Sequence, residues 1–422
     1  MRTLKLKNQN LTPLAIFESL YNGYGSFLLE SPSGTGKLER YSFIGINPNQ
    51  TITDFETLSK ADLKYGAFGF LSYDWGWEIE KLPNLANDDL KLPKLLFVIP
   101  ETLIVFDHLR QEIEISAEDP LAIANRLALS KKRAKPSPPD NADVFPPPLP
   151  VGEGEREGEG LLPPSNFKKD DFERIVSQAK DYIAAGDIYQ VNLSQRFETK
   201  IKEPPFEIYK RLRAINPSPF ASYFDLGDLK LVGCSPERLV KLEKGTAETR
   251  PIAGTRPATA TNEDLLLDPK ERAEHIMLVD LERNDLGKVC EYGSVHVDES
   301  MLVEKYSHVI HIVSNVKGIL RKDKNQFDLI KAMFPGGTIT GCPKVRSMEI
   351  IEELEPVKRG PYTGCIGYIM GDKMDLSITI RTIVIKNNTA YIQVGAGIVA
   401  DSNPEKEYFE TLHKAQAMFE AV

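Results

Sequence analysis

Apolar residues follow two different periods along this chain. Near the start, short apolar stretches bounded by turn residues, such as "GSFLLESP" and "YGAFGFLSYD", predict strands. "IYQVNLSQRFE" predicts another strand farther along. Between them, apolar residues recur at helical spacing and stop before Gly186, which predicts a helix closed by a glycine. The members of this helical stripe are Phe172, Ile175, Val176, Ala179 and Ile183.

The C-terminal part continues the mixture of strands and helices. Helices are predicted at 269–285, 343–355 and 404–421, each opened by a proline in its first turn. "SITIRTIVI", the turn Asn387-Asn388 and "TAYIQV" predict a hairpin. Long antiparallel strands interspersed irregularly with helices indicate the α+β class rather than a βαβ series.

One segment, residues 131–166, lacks both periods. It holds nine of the 29 prolines and almost no periodic apolar residue, so it cannot bury enough surface to offset its ordering entropy. We interpret it as a flexible linker or insertion. It separates an N-terminal subdomain, residues 1–130, from a C-terminal domain, residues 167–422.

Composition narrows the classes of partner. The formal net charge of −9 over 422 residues disfavours binding to nucleic acid or to an anionic membrane surface. The cysteines are scattered without a CxxC pair, which indicates a reducing compartment. The sequence shows no signal-peptide pattern and no membrane-length apolar run, so we expect a cytoplasmic protein. The four scattered cysteines are Cys234, Cys290, Cys342 and Cys365.

Two helices carry glutamates at the same i, i+3 spacing. Glu271 and Glu274 share one face of the helix at 269–285, and Glu407 and Glu410 share one face of the last helix, with Lys414 following them. Two such pairs together suit a hard cation such as Mg²⁺, which prefers oxygen ligands. The alternative is that each pair is an ordinary solvated face, and we interpret "IIEELEP" as such a face.

A set of ordered motifs resembles a known family. The chain is similar to the chorismate-utilising enzymes: the large synthase subunits of anthranilate and aminodeoxychorismate synthesis, with their isochorismate and salicylate relatives. The resemblance runs from Phe167 to the C-terminus, and "LLES", "RYSFIG" and "GFLSYD" extend it towards the start. It implies large antiparallel sheets packed face to face, with helices outside. The motifs are "GDIYQVNLSQRF", "GCSPERLV", "TRPIAGTRP", "ERAEHIMLVDLERNDLG", "HVIHIVSNVKG", "FPGGTITGCPKVRSMEIIEELEP", "GPYTGCIGY", "ITIRTIVI" and "VGAGIVADSNPEKEYFETLHKA".

The resemblance implies a Mg²⁺ cofactor and a chorismate site. Glu274 and Glu410 resemble direct metal ligands, and Glu271 and Glu407 resemble ligands that act through water. Because chorismate is a dianion, a metal that holds its ring carboxylate would explain how an acidic protein binds it. The residues that resemble the rest of the carboxylate-binding site are Tyr362, Arg381, Gly395, Ala396, Gly397 and Lys414.

Arg381 has a further argument from the strand pattern. A continuous strand through "SITIRT" places Arg381 on the same face as Ser377 and Thr379, and such a polar face suits a binding site. An ordinary arginine on an edge strand would explain the same pattern.

The resemblance also implies catalytic roles. Glu237 matches the general acid that protonates the departing C4 hydroxyl, since hydroxide leaves easily only as water. His311 matches a histidine beside the ring, and Thr255 and Thr338 match hydroxyl donors near the reacting carbons. The simpler alternatives are a core histidine, a turn glutamate and turn threonines with local backbone bonds.

The nucleophile follows from two positions that lack a reactive group. Gln190 stands where the water-using relatives carry a lysine base, so isochorismate and salicylate synthesis are not expected. Ala253 stands where well-known aminodeoxychorismate synthases carry a nucleophilic lysine. Direct attack by ammonia needs neither group. We expect the ammonia to come from a separate glutamine amidotransferase subunit, because the family motifs leave no room for a glutaminase domain.

The product is open between two members of the family. "DLERNDLG", "FPGGTITGCPK", "MDLSITIRT" and "SYDWG" favour aminodeoxychorismate synthase component I, and we prefer that interpretation. Ala253, "LLES" and "RYSFIG" favour anthranilate synthase component I. A third alternative is a protein that binds chorismate without turning it over. It conflicts with the complete set of polar residues at the matched positions.

Overall fold

The computed structural model describes residues 1–8, 10–31, 40–131, 162–257, 261, 263, 266–305 and 309–422. Most of the segment 131–166 therefore lies outside the described residues. Residues 162–166 are described, and they lie along the sheet. Ser165 pairs with Phe197, and the Asn166 N–H donates to Arg196 O at 2.9 Å. No helix among these residues is long and apolar enough to cross a membrane.

The described strands are antiparallel and extend through the whole chain. In chain order they are β1 (Arg2–Lys7), β2 (Phe27–Glu30), β3 (Tyr41–Ile52), β4 (Ala67–Leu71), β5 (Leu95–Asp107), β6 (Glu112–Ala117), β7 (Gln190–Lys200), β8 (Phe220–Leu226), β9 (Leu229–Ser235), β10 (Arg238–Glu243), β11 (Thr246–Thr249), β12 (Ile252–Pro257), β13 (His296–Lys305), β14 (Val309–Ile319), β15 (Gly341–Cys342), β16 (Cys365–Met370), β17 (Lys373–Ile378), β18 (Thr382–Lys386) and β19 (Thr389–Ile398).

The described helices include all those that the periodicity predicts. They are α1 (Pro13–Leu20), α2 (Phe55–Lys60), a 3-10 helix (Tyr73–Glu78), α3 (Pro120–Lys131), α4 (Lys169–Ala184), α5 (Pro205–Ile215), α6 (Pro269–Gly287), α7 (Gln326–Met333), α8 (Lys344–Leu354) and α9 (Pro404–Ala421). Of the stripe predicted before Gly186, Phe172, Ile175, Val176 and Ala179 are buried on α4 and Ile183 is half-buried. The buried face of α9 includes one of the predicted metal ligands, Glu407. The buried positions on α9 are Glu407, Thr411, Ala415, Met418 and Ala421.

Two layers of sheet diverge from the paired strands β3 and β5. The first layer continues from β3 through β2, β8, β9, β18, β19 and β7 to β15. The second continues from β5 through β4, β16, β17, β10 and β11 to β14, which also pairs with β12 and β13. Strands from residues 1–130 therefore belong to the same layers as strands from residues 167–422.

An apolar cluster shows that the two layers face each other. It joins Phe27, Phe224 and Val384 of the first layer to Phe70 and Ile366 of the second. The helices cover the outer surfaces: α5 and α9 pack with β8, β18 and β19, while α6 and α7 pack with β10 and β17. The predicted α+β class, with antiparallel sheets packed face to face and helices outside, is confirmed.

The chain passes from the second layer to the first at residues 379–381. The prediction of one strand through "SITIRT" is wrong here, because β17 ends at Ile378 and β18 begins at Thr382 in the other layer. Arg381 has a left-handed φ of +48°, so it does not share a strand face with Ser377. The predicted hairpin β18–β19 is confirmed, and both residues of its turn, Asn387 and Asn388, have the positive φ of a type I′ turn.

Candidate active site

Glu237 lies between β9 and β10 and is almost completely buried. Its Oε1 accepts a hydrogen bond of 2.8 Å from Thr338 Oγ1. Burial raises its pKa to about 7, although Thr338, the backbone of Ile252, and the charges of Arg381 and Lys414 all lower it. A carboxyl group with this pKa is protonated in a large share of molecules near neutral pH, so it can donate a proton there.

Two cations lie close enough to Glu237 to affect it. Arg381, at the crossing between the layers, donates from Nη1 to Asn216 Oδ1 at 3.2 Å, and its burial lowers its pKa. Lys414 donates from Nζ to Gly395 O at 3.0 Å and pairs with Glu410 at 2.7 Å. Both predicted carboxylate-binding cations are near enough to the predicted general acid for their charges to lower its pKa.

Gly395 and Gly397 of β19 form a surface without side chains where β19 pairs with β7, and we call it the glycine floor. A Cβ on Gly395 would lie 2.5 Å from Asn192 Oδ1 and 2.8 Å from the Tyr362 hydroxyl, and a Cβ on Gly397 would lie 2.7 Å from Gln190 Nε2. Real Cβ atoms do not approach other atoms so closely, so only glycine lets these side chains lie across the strand. Ala396 points to the opposite face and packs in the apolar cluster under α4 and α8.

Gln190 and Glu274 join this floor to helix α6. The Gln190 Nε2 donates to Glu274 Oε1 at 2.9 Å, which fixes the orientation of the amide. A Cβ on Gly397 would also lie 3.9 Å from that same carboxylate oxygen. The carboxylate of Glu274 therefore brings the N-terminal part of α6 to the edge of the glycine floor.

The comparisons with known proteins agree with this arrangement. A family model described as chorismate binding enzyme matches residues 29–420. The chain belongs to this family. Anthranilate synthase component 1 of Acetivibrio thermocellus is 42% identical over 97% of this chain and 92% of the relative. Aminodeoxychorismate synthase component 1 of Bacillus subtilis is 43% identical over 86% of this chain and 77% of the relative.

Solved structures give the same fold. Anthranilate synthase component I from Streptococcus pneumoniae superposes with a TM-score of 0.77 at 34% identity, covering 98% of this chain and 99% of that one. Membership of the family makes the chain a chorismate-utilising enzyme. The relatives carry both names that the sequence left open, so they do not decide the product.

In this chorismate binding enzyme, the four predicted metal ligands come from two helices. Glu271 and Glu274 on α6 are half-buried, Glu407 on α9 is buried, and Glu410 is exposed. Within the described part of the chain, no three carboxylate, histidine or cysteine side chains converge as a ready coordination shell. Their chemistry nevertheless fits Mg²⁺, because all four are carboxylates, Glu274 lies beside the glycine floor, and Glu410 pairs with Lys414, which donates to Gly395 O. The magnesium site stays a prediction.

The strands β12 and β14 bring the remaining predicted residues together. Ala253 pairs with Ile312, and Thr255 pairs with His311. The side chain of Thr255 lies outside the described residues. His311 is buried, its Nδ1 lies 3.2 Å from Gly254 O, and burial lowers its pKa to about 4. A neutral imidazole that donates from Nδ1 fits these facts, so His311 carries no positive charge near neutral pH.

Two residues of the site escaped the sequence analysis. Asn192 lies two positions after Gln190 and so faces the same side of β7, and Asn216 binds Arg381. The period of two in "QVNLSQ" contains the signal for Asn192. Asn216 precedes β8 by four residues, and no local pattern connects it with Arg381, which lies 165 residues away.

A separate cavity of about 510 Å³ lies between the layers, away from Glu237 and the glycine floor. Ser31 of "LLES" and Phe220 and Ala221 of "NPSPFA" line it. Ser31 Oγ also donates to Pro219 O at 2.7 Å. The segments "LLES" and "NPSPFA" therefore lie side by side at this cavity.

Proposed function

We propose that this chain aminates chorismate with free ammonia and that its product is 4-amino-4-deoxychorismate. The observation that carries the amination is the buried Glu237, whose pKa of about 7 suits a general acid, beside Arg381 and Lys414. The two positions where relatives carry reactive lysines hold Gln190 and Ala253, which are neither bases nor nucleophiles. A proton donor without a protein nucleophile fits attack by an external amine.

The proposed first step forms a C2–N bond. As ammonia adds at C2, both ring double bonds shift and the C4–O bond breaks, and Glu237 supplies the proton with which the hydroxyl leaves as water. The nitrogen then loses one proton. Arg381, Tyr362 and Lys414 would hold the enolpyruvyl carboxylate, and a bound Mg²⁺ would neutralise the charge of the ring carboxylate.

A second addition would complete the proposed reaction. Ammonia forms a bond at C4 while both ring double bonds shift back and the C2–N bond breaks. The C2 nitrogen takes up a proton and leaves as ammonia, and the new C4 amine loses one proton. The motifs "DLERNDLG", "FPGGTITGCPK", "MDLSITIRT" and "SYDWG" support this outcome.

Anthranilate is the second candidate product. Two observations favour it: Ala253, which matches the anthranilate enzymes, and the names of several relatives, among them that of Acetivibrio thermocellus. The 2-amino intermediate is common to both routes and yields anthranilate when it loses pyruvate. The two candidates therefore differ only in the fate of that intermediate.

Product analysis distinguishes the candidates. The purified chain is incubated with chorismate, Mg²⁺ and an ammonium salt at alkaline pH, with and without the lyase that converts aminodeoxychorismate to 4-aminobenzoate. We expect 4-aminobenzoate in the presence of the lyase, with a minor amount of anthranilate. Anthranilate as the sole product would establish the second candidate, and release of neither product would contradict the amination itself.

The source of ammonia is tested separately. We propose a glutamine amidotransferase subunit as partner, since the family motifs extend through residues 167–422 and two relatives are named as component 1 of a synthase. The isolated chain should use an ammonium salt and not glutamine, and adding the cognate amidotransferase should restore glutamine use. Glutamine-dependent turnover by the isolated chain would contradict this proposal.

A further inference from the structure

Two buried amide oxygens on one face of β7 lack a donor. Gln190 is 3% exposed and Asn192 is 8% exposed, and neither Gln190 Oε1 nor Asn192 Oδ1 accepts a hydrogen bond from any described residue. A buried acceptor left without a partner costs about 1–3 kcal/mol, so native proteins rarely keep one without a purpose. Two of them, two positions apart on the same face, can together accept hydrogen bonds from one bound molecule.

The geometry directs both amides towards the glycine floor. Nε2 of Gln190 is held by Glu274 at 2.9 Å, which leaves its Oε1 as the free acceptor. The Asn192 oxygen lies directly over Gly395, where a Cβ would be only 2.5 Å away. The acceptors therefore border the site described above and do not belong to a separate core network.

Because Gln190 Oε1 and Asn192 Oδ1 are both acceptors, they favour a reactant that donates hydrogen bonds over one that only accepts them. Carboxylates of chorismate offer only acceptors, and carbonyl oxygens repel them. The C4 hydroxyl is a donor, but it would leave at Glu237, which accepts its bonds from Thr338 and the backbone of Ile252 and not from β7. Ammonia is the remaining donor. Acceptors hold it through its N–H bonds and leave its lone pair free to attack, whereas a donor would occupy that lone pair.

Charges of both signs border the two amides: Glu274 accepts from Gln190 Nε2, and Lys414, which donates to Gly395 O at 3.0 Å, pairs with Glu410. Neutral ammonia is the form with a lone pair that can attack C2. We infer that Gln190 and Asn192 form an ammonia subsite, in which two amide oxygens position the nucleophile. This inference rests on the proposed amination and names the residues that receive its nitrogen.

Asn192→Leu tests the subsite most directly, because Asn192 does not contact the proposed metal ligands in the described structure. The assay measures KM for free ammonia and KM for chorismate separately, with Mg²⁺ present. Loss of one neutral hydrogen bond corresponds to about a three- to tenfold rise in the ammonia KM. The chorismate KM should change by less than about twofold. Gln190→Met should raise the ammonia KM similarly and should also weaken chorismate binding, since Glu274 loses its donor.

Gln195→Met is the matched control. It lies on the same strand but on the opposite face, and its amide is satisfied on both sides, by Thr411 Oγ1 at 2.7 Å and Ser165 Oγ at 2.7 Å. It should lower the thermal midpoint without changing the ratio of the two KM values. If Asn192→Leu leaves the ammonia KM within twofold of wild type, or raises both KM values equally, the subsite is wrong although the amination stands. Failure of the wild-type chain to aminate chorismate would instead overturn the proposed function, and the subsite with it.

Discussion

Glu237 shows how burial alone gives a side chain a chemical role. A glutamate in water has a pKa near 4.5 and is ionised at neutral pH, whereas desolvation at this site raises the pKa of Glu237 to about 7. The bond from Thr338 and the charges of Arg381 and Lys414 keep the pKa from rising further. Near pH 7, Glu237 is therefore protonated in about half of the molecules and ionised in the rest.

Glu237→Gln should reduce kcat by about 100-fold or more, because an amide cannot supply the proton to the leaving hydroxyl. In the wild-type chain at a fixed concentration of free ammonia, kcat/KM for chorismate should fall as the pH rises through about 7, since the acid loses its proton. The raised pKa also means that the contribution of Glu237 to the free energy of unfolding decreases as the pH rises from about 4.5 to about 7, a decrease that the Glu237→Gln chain should lack. Pre-steady-state rates and thermal midpoints measured across this range check both statements.

Glu243→Gln is the control for that prediction. Glu243 lies on β10, the strand that follows Glu237, and is half-buried without contact to Thr338 or Arg381 in the described structure. Its substitution should leave the pH profile unchanged. A Glu237→Gln chain that retained wild-type kcat and the same profile would show that another group donates the proton.

Single residues also show where sequence reasoning stops. The motif resemblance identified Glu237 and Gln190, but it could not supply the pKa of Glu237 or the hydrogen-bond partners of either residue. The interpretation of "IIEELEP" as a solvated face is wrong: Glu352 is buried and accepts from the N–H groups of Leu85 and Ala86, and Glu355 is buried with Arg359. Leu85 and Ala86 are more than 260 residues from Glu352, so the spacing of the glutamates does not indicate these donors, whereas Arg359 is only four residues from Glu355.

At the level of elements, periodicity predicted the helices well and the strand ends less well. The helices at 269–285, 343–355 and 404–421 match α6, α8 and α9 to within two residues, because proline and apolar spacing act locally. The end of β17 at Ile378 depends on which strands the next residues pair with, and those strands belong to the other layer. Pairing of that kind is not encoded within a window of a few residues.

Gly395→Ala should disturb the floor formed by β7 and β19. The new Cβ would lie 2.7 Å from the backbone oxygen of Leu193 as well as against Asn192 and Tyr362, so the two strands would have to separate. We expect a loss of about 1–3 kcal/mol in the free energy of unfolding and at least a tenfold fall in kcat/KM. Denaturant unfolding and steady-state kinetics measure the two effects.

Gly287→Ala serves as the comparison, since a Cβ at this helix end would meet nothing within 4 Å and Gly287 has no positive φ. This variant should retain wild-type activity and lose no stability. Equal behaviour of the two alanine variants would mean that the strand pair β7–β19 does not shape the site.

The whole molecule matters because the site draws on segments from both layers. Gln190 on β7, Glu237 after β9, Arg381 at the crossing and Lys414 on α9 come together only when the layers face each other. Strands from residues 1–130 and from residues 167–422 share the apolar cluster between those layers. Local sequence patterns cannot describe such an assembly, and the resemblance to a family supplied it instead.

The last prediction concerns the two helices that carry the glutamate pairs, α6 and α9. If Mg²⁺ binds between Glu274 and Glu410, it joins helices about 130 residues apart in sequence, so Mg²⁺ with chorismate should raise the thermal midpoint of the chain. Glu274→Gln or Glu410→Gln should nearly abolish turnover and this shift, since a hard cation loses a charged ligand. Glu420→Gln, also exposed on α9, should change neither. Undiminished turnover in EDTA would show that the paired glutamates are only a solvated face.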